Sequence, residues 1–86
     1  MSRQMTPIGR LGPVAYQELP NGSAHASFDI IIDRGSKTTP VPCEAWGILA
    51  EQAFSMDEGS LIGLIGSLTI DRTVRIETIE HLGRPL

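Results

Sequence analysis

The sequence predicts an all-β domain, a five-stranded Greek-key barrel with one short helix between the third and fourth strands. Three observations carry this. An Asn21-Gly22 turn leads into Ala24–Asp33, where apolar residues recur at every second position. A strand from Thr39 to Trp46 passes through a single glycine, Gly47, into a short amphipathic helix. Two later strand-like runs, Gly59–Leu68 and Val74–Glu77, are joined by a very short connection at Asp71-Arg72. Strand, turn, strand, strand, short helix, strand, strand is the chain order of a small closed barrel.

The first strand, Ile8-Gly9-Arg10-Leu11-Gly12, carries two glycines, which suits a sharp bend at a barrel corner. Pro13 interrupts its ladder, and Val14–Gln17 continue to the turn. In the second strand Ala24, Ala26, Phe28, Ile30 and Ile32 share one face, against His25, Ser27, Asp29, Ile31 and Asp33 on the other. Ile31 is the apolar exception on the wet face and a candidate subunit contact. Arg34-Gly35-Ser36-Lys37 makes a tight basic turn into the third strand. Pro40 and Pro42 lie two apart, so both missing N–H groups point the same way, as on a strand edge.

After Gly47 the helix shows an apolar stripe of Ile48, Leu49, Gln52 and Ala53. Leu61–Leu68 is almost continuously apolar and is expected to be covered on both faces, its glycines letting it curve. In the last strand Ile79 and Leu82 follow Val74–Glu77 after a slip in register. Residues 1–7 read as a loose N-terminal arm and residues 84–86 as a free C-terminal end.

Size and charge narrow the classes further. Eighty-six residues make one domain, 1–86. A chain this short buries only about 60–65% of its unfolded surface, so self-association as a homodimer or homotetramer is expected. Seven Lys and Arg stand against ten Asp and Glu, which argues against a protein held to nucleic acid by bulk charge. A local basic patch combined with stacking stays open. The single Cys43 cannot form an intramolecular disulfide and has no zinc-ligand spacing, so a reducing, cytoplasmic setting is expected. Met1–Gly12 lacks a signal-peptide apolar core, and no apolar run approaches membrane-spanning length.

Several stretches together resemble the bacterial and plastid single-stranded DNA-binding proteins and their primosomal accessory relatives. They are Gly9-Arg10-Leu11, Leu19-Pro20-Asn21-Gly22-Ser23-Ala24, Ala45-Trp46-Gly47-Ile48-Leu49-Ala50-Glu51, Gly59-Ser60-Leu61 and Ile65-Gly66-Ser67-Leu68. The resemblance covers nearly everything from Ile8 to Gly83. It implies an OB-fold barrel that assembles as dimers or tetramers and wraps single strands by aromatic stacking and basic hairpins. DNA replication, repair or recombination is the implied setting, in a bacterial, phage or plastid source. The aromatic before Gly47 is a base-stacking position in that family, so Trp46 inherits that role, and Arg10 matches a polar first-strand position.

The chain also departs from the pattern. The hairpin between the second and third strands shrinks to about Arg34–Thr39, and the last one to Asp71-Arg72. The family's additional tryptophans are missing, and the chain ends three residues after Gly83, where the family carries an acid-tipped tail. The primosomal relatives share the short form, the Pro20-x-Gly22 turn leading to His25, and the Ala45-Trp46 pair. An alternative follows: a protein-interaction or primosomal accessory module with weak or no DNA binding and a replication protein as partner.

From the spacing alone, Trp46 either stacks a base or packs in a core or interface; the resemblance favours stacking. Arg10, Arg34, Lys37, Arg72 and Arg75 are the candidate phosphate contacts, with Asp33 and Asp71 as competing surface partners. Single-stranded DNA is the expected ligand, with RNA not distinguished from it. No cofactor, metal site or catalytic constellation is expected: His25 has no second ligand at metal spacing, and the acidic pairs lack a nucleophile beside them.

Overall fold

Strand pairing runs in a closed circuit. The structure, a computed structural model, describes residues 3–85. Its elements are β1 (Arg3–Met5), β2 (Ile8–Leu11), β3 (Ala15–Glu18), β4 (Ala24–Arg34), β5 (Lys37–Trp46), α1 (Ile48–Ser55), β6 (Leu61–Leu68) and β7 (Val74–Gly83). β2 pairs with β4, β4 with β5, β5 with β7, β7 with β6, and β6 returns to β2. All are antiparallel except β5–β7, which meet in parallel at Cys43↔Val74 and Glu44↔Arg75. This is the five-stranded OB-fold barrel with a short helix between its third and fourth barrel strands, as the sequence pattern predicts. The first barrel strand is split by Gly12-Pro13 into β2 and β3, both of which pair with β4.

Two glycines let the barrel close. At Gly9 a side chain would collide with the Ile31 carbonyl oxygen, and at Gly66 with the Arg75 carbonyl oxygen. At both places the neighbouring backbone occupies the space a Cβ needs, so neither position accepts a larger residue without moving a strand. The slip in β7 is real: Ile65 faces Thr78 but Gly66 faces Ile76, which leaves Glu77 in a bulge.

Phe28, Ile30, Cys43, Ile62, Val74 and Ile76 form the heart of the interior. α1 lies across one end of the barrel, and the Phe54 ring stacks on Tyr16 with centroids 4.5 Å apart and planes 18° from parallel.

Three expectations change. The N-terminal arm carries the strand Arg3–Met5, paired with Leu68–Gly66, because the edge of β6 beyond β2 offers free ladder groups. Met1, Ser2 and Leu86 lie outside the described residues. The buried helix positions are Ala50 and Ala53, whereas Ile48 is 73% exposed. Small side chains let the helix sit close to β4, and the entry from Gly47 turns Ile48 outward. Finally, β6 is covered on one face only. Ile62 and Leu64 are buried, but Ile65 is exposed, as are its neighbours Ile8 and Leu82. A barrel covers only the interior of each strand, so the outer apolar residues of β6 stay open in a single chain.

Candidate nucleic-acid interface

The outward residues of β3, β4, β5 and β7 fall into rows set by register. Gln17, His25 and Trp46 form the first row, through the pairs Gln17↔His25 and His25↔Trp46. Ala15, Ser27, Glu44 and Arg75 form the second. Asp29 and Pro42 form the third. Residues between these rows, such as Ala26, Phe28, Cys43 and Ala45, point inward and are buried.

Gly47 determines where Trp46 ends up. Its φ of 63° and ψ of −130° turn the chain from strand to helix within one residue, a conformation that costs a side-chain-bearing residue dearly. Trp46 is therefore the last residue of β5, on the outer face, and is 44% exposed. Its indole sits 4.2 Å from the His25 ring at an angle of 48°. His25 Nε2 lies 3.5 Å from Glu44 Oε2, and Arg75 Nε lies 3.5 Å from Glu44 Oε1. Nε2 of His25 is buried without a hydrogen-bond partner, and the imidazole stands against the indole at a tilt. The two rings make a supported platform of the kind on which a base stacks.

The five cations are spread unevenly about this platform. Arg75 adjoins it through Glu44, and its side chain is 61% exposed. Arg72, with a φ of 64°, holds the exposed β6–β7 turn beside Thr73. Arg34 and Lys37 face each other at the β4–β5 tip, nine residues along each strand from His25 and Trp46. At ~3.3 Å per residue that is about 30 Å away. Arg10 lies opposite Ile31, and its Nη1 donates to the Gly59 carbonyl oxygen at 3.2 Å. It is half-buried and so is held against the barrel wall. Arg75 is thus joined to the platform through Glu44, whereas Arg72 lies in the β6–β7 turn at the other end of this face, and Arg10, Arg34 and Lys37 lie away from Trp46.

Cys43 is a buried apolar residue whose thiol is pushed up to about 12 by burial. Its Sγ donates to the Val41 carbonyl oxygen at 3.3 Å.

The His25–Trp46 pairing is the feature sequence reasoning missed, although a signal was present. A two-residue turn at Gly35-Ser36, read together with strict antiparallel register, pairs the two residues by counting back along both strands. The approach of Arg75 to Glu44 had no such signal, since it depends on the barrel closing.

No protein-family model and no curated protein matches the sequence. Solved structures do share its fold. The PriB protein of Ralstonia solanacearum superposes with a TM-score of 0.76 at 12% identity, over 91% of this chain and 95% of that one. The single-stranded DNA-binding protein of Thermus aquaticus gives 0.81 at 23% identity, over 96% of this chain, which spans only 41% of that protein. The mitochondrial single-stranded DNA-binding protein of S. cerevisiae gives 0.82 at 13% identity, over 98% of both chains. These likenesses establish the fold, the OB-fold barrel that the resemblance implies.

Proposed function

We propose that this chain binds single-stranded nucleic acid, DNA in the first instance, without catalysing a reaction on it. The observation that carries this reading is Trp46, exposed on the outer face of an OB-fold barrel and backed by the His25 ring. A stacked base is worth about 1–3 kcal/mol, and every base has a face to stack. Arg75 beside Glu44 is the candidate phosphate contact next to the platform, with Arg72 in the β6–β7 turn, Arg10 on β2, and Arg34 and Lys37 at the β4–β5 tip as further candidates. The structural neighbours that bind single-stranded DNA support the same reading. DNA replication, repair or recombination in a bacterial, phage or plastid setting is the finer part of this proposal.

The proposal includes self-association. Ile8, Ile65 and Leu82 form an exposed apolar area around Gly63 on the outer face of β2, β6 and β7. Leu82 Cδ1 and Ile8 Cγ1 stand 3.4 and 3.8 Å from the position of a Cβ on Gly63, so the two side chains flank a shallow socket. Such an area on a small domain suits contact with another copy.

Titrating Trp46 emission with a mixed-sequence strand of about 30 nucleotides at about 20 mM salt tests the binding. Saturable quenching is expected. No quenching with protein in the tens of micromolar overturns the reading.

A second reading rests on Ile48 and Phe54, 73% and 57% exposed on α1, together with the likeness to the PriB protein. Here the barrel is an accessory module that docks a replication protein through its helix. Capture of a partner that survives nuclease treatment and is lost in Phe54→Ser favours it.

A further inference from the structure

Beside the Trp46 platform, the same outer face opens into a groove of about 460 Å³, lined by Pro13, Ser27, Asp29, Pro42, Glu44 and Thr73. This is within the size range of small-molecule sites. Its chemistry is unlike that of a phosphate track. Two carboxylates, Asp29 and Glu44, face the space, and only Glu44 has an arginine beside it. Asp29 is exposed and has no ion-pair partner among the described residues. A phosphate placed here meets unbalanced negative charge. A neutral heterocycle does not, and the Pro13 and Pro42 rings give it apolar walls.

Resting on the binding function proposed above, we infer that this groove is a base-reading subsite that selects a nucleobase carrying an exocyclic amino group. The register supports it. Asp29 and Pro42 are directly paired, and Ser27↔Glu44 is the next outward pair toward His25↔Trp46. The groove therefore lies two to four residues along the strands from the indole, about 7–14 Å, within one or two nucleotides of a stacked base. A carboxylate only accepts hydrogen bonds, so it matches the N4 amine of cytosine or the N6 amine of adenine. Uracil and thymine present a carbonyl oxygen at the same place, which sets acceptor against acceptor. The strand then crosses this face with its bases toward the sheet and its phosphates toward Arg72 and Arg75. The barrel would thus read sequence weakly in one place while stacking any base in another.

The test compares (dC)12 with (dU)12, which differ in the amine and the carbonyl but share ring size and lack the thymine methyl. At pH 7.5, with Trp46 quenching as the readout, (dC)12 should bind at least about fivefold tighter than (dU)12. Asp29→Asn, on an exposed strand position, should bring the two within about twofold, mainly by tightening (dU)12, because an amide both donates and accepts. Equal or tighter binding of (dU)12 by the unaltered chain, with quenching intact, overturns the subsite and leaves single-strand binding standing. A (dC)12 preference that persists in both Asp29→Asn and Glu44→Gln also overturns it. Absence of quenching by either oligomer overturns both the subsite and the function beneath it.

Discussion

The two outer faces of this barrel are built on the same interior and differ in almost every other respect. The face of β3, β4, β5 and β7 is polar, with one aromatic platform, an ion pair and a groove. The face of β2, β6 and β7 is mostly apolar, with Ile8, Ile65 and Leu82 around Gly63 and with Thr78 and Glu80 beside them. Alternation along each strand gives every barrel strand an outer set of residues, and the outer set is where function varies without disturbing the core. The polar face suits a ligand that exchanges with water, and the apolar face suits a surface that stays covered.

The largest expected effect comes from a change that should damage both faces together. Gly66→Val drives a side chain into the Arg75 carbonyl and the Val74 side chain, where β6 meets β7. A loss of about 3 kcal/mol or more in urea unfolding is expected, with binding and self-association failing in parallel. A stable Gly66→Val barrel would show that the junction tolerates more movement than this packing allows.

Changes to one face should leave the other alone. Trp46→Ala is expected to cost about 1–3 kcal/mol of oligonucleotide affinity, or roughly 5- to 150-fold, measured by anisotropy. Its sedimentation behaviour should match that of the unaltered chain. Ile65→Lys should do the reverse, shifting sedimentation toward the monomer while holding the affinity per subunit within about twofold. If Trp46→Ala dissolves the assembly, or Ile65→Lys removes binding, the division between the faces fails.

The smallest effect sharpens the electrostatics of the polar face. With three or four phosphate contacts, log K should fall against log[salt] with a slope of about −2 to −3, and Arg75→Ala should make it shallower by about 0.7. Removing Lys37 at the distant tip should change the slope by less, unless the strand runs the full length of the ribbon.

The core was legible because burial imposes alternation. Ala24, Ala26, Phe28 and Ile30 could be assigned inward from spacing alone, and all four are buried. The helix was legible as an element but not in its orientation. Its stripe is read from hydropathy, and Ile48 is more apolar than Ala50, yet the close approach to β4 favours the alanines. β6 misled for a related reason: an apolar run shows that residues avoid water, not which side of a barrel wall covers them.

At the candidate site, the exposed indole follows from a strand ending at one glycine, which is local and readable. That Trp46 rests on His25 follows from register across a short turn and was within reach. The approach of Arg75 to Glu44 was not.

The amino-acid order by itself determined the strand sequence, the inward residues and the point where strand becomes helix, since each depends on neighbours a few positions apart. Only the tertiary structure decided which outward side chains share a surface, and therefore which cations reach the platform and where the groove opens. The parallel contact of β5 with β7 joins segments about thirty residues apart through a closed circuit, and no local pattern encodes that distance.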